Sequence, residues 1–532
     1  MTFFWLRRLC LGVMLAVGMG AGHALTPADA LAVAQGDSDT RIEAINRLAA
    51  AADPQAIALL QALAEGSVQV QGERTLIVGA DGTPRDAVTG AAVTPDGSAD
   101  DAVVNNRLRG ALNTALAGAA LFGDDAKAQR DAATVVQRAS VDDPDPARLP
   151  LIDRALALST LDATARERLE LARAALQLAS ADPAERIAAA QALGAVSQPA
   201  VRPLLEQARA AESEPAVQAA LSAALASLER RLALGSALAQ AFSGISLGSI
   251  LLLAALGLAI TYGLMGVINM AHGELIMIGA YATWGVQVLF QRFLPDWFDV
   301  YLLAALPVAF ATSALVGAAM ERSVIRFLYG RPLETLLATW GISLVLMQSV
   351  RSLFGAQNVS VENPAWMSGS VTLMGNLTLP WNRVVIIAFA IAVLAGVALL
   401  IARTRLGLFV RGVTQNRPIA ACMGVNTARI DTWAFALGSG IAGLAGCALS
   451  QIGNVGPDLG QAYIVDSFMV VVLGGVGQLA GTVYAALGLG VLNKLIEGWA
   501  GAVLAKIAVL VFIIVFIQKR PQGIFAMKGR EA

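Results

Sequence analysis

The sequence predicts an all-α chain: a polytopic membrane helix bundle of about eight to nine spans with broken helices, preceded by an exported HEAT-like α-solenoid that carries a small β insertion. Three observations predict it. The chain is 56% hydrophobic and only 14% charged, against roughly 25% charged in an ordinary soluble domain. The charge is unevenly placed: residues 26–235 are rich in Asp, Glu and Arg, whereas from about 240 long apolar runs alternate with short Arg-bearing loops. And the segment 41–60 aligns without a gap on 186–205, an internal repeat within the charged half.

Residues 1–24 read as a signal peptide. Arg7 and Arg8 precede the apolar run Leu9–Ala21, too short for a span, and Gly22-His23-Ala24 is a small-x-small cleavage site. The next domain, 25–235, is therefore expected outside the cytoplasm. Its repeat places Arg41, Ile42, Ala44, Leu48, Pro54, Leu59 and Leu60 on Arg186, Ile187, Ala189, Leu193, Pro199, Leu204 and Leu205. Asp53-Pro54 and Asp182-Pro183 have the chemistry of a helix start: Asp accepts from free N–H groups, and Pro in the first turn has no N–H to lose. Residues 66–104 break the pattern. "VQVQGERTLIV" alternates, and Asp81-Gly82 and Asp96-Gly97 are hairpin-type turns, so a small β insertion is expected before "NNRLRGAL" restarts helix.

The membrane half, 240–520, offers apolar runs at roughly 244–266, 274–291, 300–320, 333–354, 382–402, 432–452, 465–490 and 503–518, each near the ~20 residues a span needs. Basic residues cluster in 321–331, in 403–430 and in the tail, 521–532, with its approach (Lys519, Arg520, Lys528, Arg530). These segments are expected in the cytoplasm; 355–382 and 452–465 contain no Lys or Arg and are expected outside. An exported N-domain and a cytoplasmic C-terminus require an odd number of crossings. A break at Gly474-Gly475-Val476-Gly477 that splits 465–498 gives nine; a re-entrant segment would give seven if one other run were miscounted.

Several functions are excluded. A net charge of −1 offers no field for nucleic acid. No lysine follows a glycine, so there is no P-loop for ATP. With two histidines, one in the signal, and three scattered cysteines, neither a metal centre nor a catalytic triad can be assembled, and no cofactor is implied.

The stretch that needs explaining is "YGLMGVINMAHGELIMIGAY" (262–281), where Asn269, His272 and Glu274 stand in an apolar run beside Gly273. As one continuous helix, 247–290 would run for about 66 Å, and two crossings of a ~30 Å core account for nearly all of that. This places the polar box near a hairpin turn on the cytoplasmic side, its groups wetted or paired, with His272 a possible neighbour of Glu274. The other reading is a helix broken inside the bundle, lining a path. Both use Gly273 for backbone freedom. Thr339, Ser343, Gln348 and Asn454 are the further polar groups available to a neutral, polar passenger, each with the alternative of bonding its own helix.

The motif at 262–281, the pattern Arg411-x-Val-x-x-Asn416-x-x-x-Ala420-x-x-x-Gly424-x-Asn426, and "VVVLGGVGQLAGTVYAALGLG" (470–490) together resemble the branched-chain amino-acid/amide class of ABC importer permeases. "INMAHGE" and the exported extension look most like the urea permease subunit of that class. The resemblance implies a multi-pass protein of the bacterial inner membrane that does no covalent chemistry. It implies a second permease subunit completing the pore, two cytoplasmic ATPase subunits docking on 411–426, a periplasmic substrate-binding protein, and a small polar substrate such as urea. The helical pattern of Ile419, Ala420 and Met423, closed by Gly424, suits such docking. Branched-chain amino acids are the alternative cargo; a stand-alone urea or amide channel, or a sensor with a ligand-binding solenoid, are the alternative classes.

Overall fold

The computed structural model describes residues 25–51, 53–79, 82–93, 99–520 and 522–525. The expected signal segment, the Asp96-Gly97 turn and most of the tail lie outside the described residues. The chain divides into two units, Met1–Ala233 and Leu234–Ala532.

In the first unit the repeat folds as two helix pairs. Residues 41–60 lie on α2 (Ser38–Ala51) and α3 (Pro54–Glu65), which follow α1 (Pro27–Ala34). Their counterparts lie on α8 (Pro183–Gly194) and α9 (Val201–Ala211). The expected caps form: the Asp53 side chain accepts from Ala56 N, and that of Asp182 from Ala184 N, with Pro in the first turn of each helix. Between the pairs stand α4 (Asn106–Ala119), α5 (Ala126–Asp142), α6 (Leu149–Leu156) and α7 (Ala163–Gln177). Leu59, Leu63, Leu112, Ile152 and Leu169 are fully or almost fully buried and make the main core. The insertion is a four-stranded antiparallel sheet ordered β3-β2-β1-β4, from β1 (Val68–Gln71), β2 (Arg74–Val78), β3 (Pro84–Asp86) and β4 (Asp100–Asp101). Its β1–β2 turn is at Gly72, with φ +62°, a position the sequence reading passed over; Gly82 of the expected Asp81-Gly82 turn, with φ +73°, lies between β2 and β3, and Asp81 is outside the described residues.

A feature the hydrophobic pattern does not reveal is a recurrent arginine tether. Arg41 donates to Val33 O, Arg148 to Ala139 O, Arg166 to Leu156 O and Leu158 O, and Arg186 to Ser180 O and Ala181 O. Each reaches back to carbonyls near or just beyond the end of an earlier helix, tying the connecting segment to the helix that follows. Arg186 also pairs with Glu212 at 2.8 Å. Backbone donation from Glu214 and then the Arg186 guanidinium hold the Glu212 carboxyl below the ordinary carboxylate range. A carboxyl depressed on folding stabilises above its unfolded pKa of about 4.3, and that stabilisation fades as the pH falls through the lower folded value. Glu212→Gln is therefore expected to raise hydrogen exchange around 180–214 at pH 6–7 and to narrow its gap to wild type in acid. A gap independent of pH would contradict this.

Among the described residues, eight helices are long and apolar enough to cross a membrane, the first of them starting in the first unit and running into the second, and Leu459–Gly474 is a shorter apolar one. They are α10 (Pro215–Met265), α11 (His272–Phe293), α12 (Tyr301–Ser323), α13 (Pro332–Phe354), α14 (Trp381–Arg403), α17 (Thr427–Ser450), α18 (Leu459–Gly474), α19 (Leu479–Ala500) and α20 (Ala502–Lys519). The run 465–490 is split as expected, with Gly475 at φ +98° and Gly477 at φ +77° in the break. The hairpin β5 (Ser370–Met374) and β6 (Leu377–Pro380) precedes α14. Two short helices, α15 (Arg405–Gln415) and α16 (Arg417–Cys422), fill 403–426.

The axis of this unit is α17. Its glycines admit neighbouring backbones where a Cβ would collide: Gly438 with Gly257 of α10, Gly443 with Ala309 and Ser313 of α12, and Gly446 with Ile276 of α11. Close approach of this kind is how helices associate where lipid is as apolar as leucine.

Candidate functional site

The polar box sits where α10 has ended and α11 begins. Gly266, at φ +65°, stops α10 after Met265. Residues 266–271 then return into the bundle without helix. His272, the first residue of α11, lies beside Ala254 and Gly257, well back along α10: its Nε2 is 2.9 Å from Ala254 O, and a Cβ on Gly257 would lie 3.0 Å from its Cε1. Asn269 and Glu274 are 1% exposed and His272 is fully buried.

This corrects the sequence reading in three respects. The continuous-helix arithmetic fails because 266–271 is unwound, so the box lies inside the protein and its groups are not wetted. Glu274 does not pair with His272; its Oε1 accepts from Ser343 Oγ at 2.9 Å. And Gly273 is an ordinary helical residue of α11. It is needed for close approach, since a Cβ there would stand 2.5 Å from Gly460 O.

Two of the predicted residues close the site from α13. The Thr339 hydroxyl accepts from Met270 N at 3.1 Å and lies 3.3 Å from Ile268 O. Ser343 is one turn further on, near the middle of Pro332–Phe354, so both lie on one face of α13. Asn269 turns its Oδ1 to Ala271 N, and its Nδ2 has no partner; Glu274 Oε2 and His272 Nδ1 also have none. The structure thus joins Asn269, His272, Glu274, Thr339 and Ser343. It leaves out Gln348 and Asn454, which are exposed on the outer part of α13 and on the 451–458 loop. In an apolar helix the sequence alone does not say which side turns inward, and Gln348 turns out.

The basic loop folds largely as its pattern requires. Asn416 caps α16 by accepting from Ile419 N, and Asn426 caps α17 by accepting from Arg429 N, each at 3.1 Å. Gly424, at φ +84°, ends the α16 turn, with Val425 N donating to Ala420 O. Ala420 is buried, Arg411 is exposed, and Ile419 and Met423 are 60% and 79% exposed.

Sequence reasoning missed a second polar group. Glu321, at the end of α12, is 0% exposed and Asp431, in the first turns of α17, is 1%. Thr432 Oγ donates to Glu321 Oε2 at 2.6 Å, and Arg326 Nη2 approaches the same oxygen at 3.2 Å. Arg417 pairs with both Asp431 oxygens and lies 4.4 Å above the Tyr329 ring. The available signal was an acid at a helix end beside a basic loop; Arg326 and Arg417 count in the sequence only toward orientation.

Residues 240–518 match the family model described as branched-chain amino acid transport system / permease component. The chain is 27% identical to the high-affinity branched-chain amino acid transport system permease protein BraD of Pseudomonas aeruginosa, over 51% of this chain and 90% of that protein. It is 28% identical to the LivH permease proteins of Salmonella typhimurium and of Escherichia coli, again over 51% of this chain and 90% of each. No solved structure matches. With the family model spanning more than half of its length and covering the polar box, the basic loop 403–430 and the glycine break together, the chain belongs to the family of branched-chain amino acid transport system permease components.

Proposed function

We propose that this protein is one permease half of an ATP-driven importer whose cargo is urea. The observation that carries the cargo is the unfilled hydrogen-bonding capacity of the box. Asn269 Nδ2 is a buried donor without an acceptor, and Glu274 Oε2 a buried acceptor without a donor. From one face of α13, Thr339 bonds the backbone on either side of Asn269, at Ile268 O and Met270 N, and Ser343 holds the other oxygen of Glu274. A planar diamide has one carbonyl to accept and two NH2 groups to donate, and it carries no charge to be neutralised. The site's own groups are an amide, two hydroxyls, an imidazole and a carboxyl, with no guanidinium or ammonium to receive an amino acid's carboxylate.

In this reading a related permease completes the pore, two cytoplasmic ATPases dock on 411–426, and a periplasmic binding protein delivers the cargo. The basic loops 321–331 and 403–430 and the C-terminus face the cytoplasm, and the helical-repeat domain is periplasmic. The names of the relatives favour branched-chain amino acids as the second reading. Uptake separates the two: cells lacking this chain should lose uptake of labelled urea and keep that of leucine. The reverse result would make the cargo a branched-chain amino acid.

A further inference from the structure

The docking helix α16 has little to hold it. It is six residues long, and its buried side rests on a small cluster of Val413, Ala420, Ile430 and Ala434. Its apolar outer side, Ile419 and Met423, is exposed. The strong attachment is ionic: Arg417, its first residue, forks onto both oxygens of buried Asp431 and stacks on Tyr329. The next residue of α17, Thr432, donates to Glu321 at the end of α12, and Arg326 closes the group by approaching both Glu321 and Thr432. Consecutive residues at the foot of α17 are therefore tied, one to the docking helix and one to α12.

We propose that Arg417, Asp431, Thr432 and Glu321 are positioning residues that carry movement of the docking helix into α17, and through it to the substrate site. This rests on the importer reading and on docking at 411–426. Buried ionisable groups at membrane depth are costly, and well-packed apolar residues would serve stability as well or better; a role in motion accounts for keeping them. The route onward is solid. Above Asp431 and Thr432, Gly438, Gly443 and Gly446 lock α17 against α10, α12 and α11 at backbone distance, and α11 carries His272 and Glu274. A shift at the foot of α17 is thereby delivered to the box. The group also has capacity for a second arrangement, since Glu321 Oε1 and Arg326 Nε are buried and unpaired in this one. Exchange of partners between two discrete states is the form such transitions take.

The test uses the full complex in proteoliposomes, with three readouts: retention of the ATPase subunits, ATP hydrolysis, and transport per ATP. Arg417→Gln, Asp431→Asn and Glu321→Gln should each retain the ATPase subunits and hydrolyse ATP, while transport per ATP falls roughly tenfold. The exchange Arg417→Asp with Asp431→Arg should recover most of the loss, which ties it to the ion pair; retained ATPase subunits and ATP hydrolysis in the single variants separate the role from a purely structural defect. Thr432→Val, nearly unchanged in shape, supplies the same reading if a charge variant fails to assemble. Wild-type transport per ATP in these variants overturns the proposal. So does loss of the ATPase subunits with Arg417→Gln, because the arginine would then be a docking contact only. If wild-type chain retains no ATPase subunit, it is the importer reading that fails, and this proposal with it.

Discussion

Gly443→Ala should cost the protein its assembled membrane unit, whereas Gly396→Ala should leave it intact or slightly firmer. Both glycines are helical, in α17 and α14. By intrinsic propensity both substitutions favour folding, by up to about 1 kcal/mol. Surroundings separate them. A Cβ at Gly396 meets nothing within 4 Å. A Cβ at Gly443 runs into Ala309 O and the Ser313 side chain of α12, while Gly279 of α11 presses on the Gly443 backbone from another side. Overpacking a core typically costs about 1–3 kcal/mol; here one obstacle is the backbone of α12 at Ala309 O, which no rotamer change relieves. Ser313 is also committed, donating to Leu275 O at 2.9 Å. The measurement is the monodisperse fraction and thermal midpoint in detergent. Equal midpoints for the two variants would mean that α17 is not the axis of the bundle.

What the sequence discloses follows from the solvent each segment meets. The spans are legible because a lipid core demands length and apolarity and little else. The split at 474–477 is legible because consecutive glycines in such a run have few other uses, and two of them, Gly475 and Gly477, take positive φ. In the first unit, Asp53, Asp182 and Asn105 cap their helices because capping needs only a residue type at a local position. Facing is another matter. In water an amphipathic stripe shows which side of a helix is buried; in lipid both sides are apolar and the stripe disappears. That is why Gln348 was grouped with the site and lies outside it, and why Glu321 and Asp431 were passed over although they are buried. The depth of Asn269–Glu274 stayed open between a hairpin turn and a break inside the bundle for a related reason. A helix count presumes 1.5 Å per residue, and the unwound 266–271 does not obey it.

The same unwinding makes the second large effect specific. Glu274→Ala should lower transport by roughly two orders of magnitude, the scale seen when a buried, positioned polar group is removed from a site, with insertion and complex assembly preserved. Glu274 is bonded through one oxygen, to Ser343, and its other oxygen is unfilled, an acceptor free for a donor on the substrate. Glu274→Gln separates two roles for the carboxyl. Glutamine keeps an acceptor for Ser343 and replaces the free oxygen by an NH2 donor, so it should hold the fold and still fail to accept from a passing amide. Ser343→Ala should be milder than either, because it releases the carboxyl without removing it. Its loss should appear mainly as a weaker apparent affinity, the signature of a site less well held. Full transport in Glu274→Gln would mean that the free oxygen meets no donor on the substrate, and the box would then serve only to start α11 inside the bundle. Loss of insertion in all three variants would assign Glu274 and Ser343 to the packing of α11 against α13.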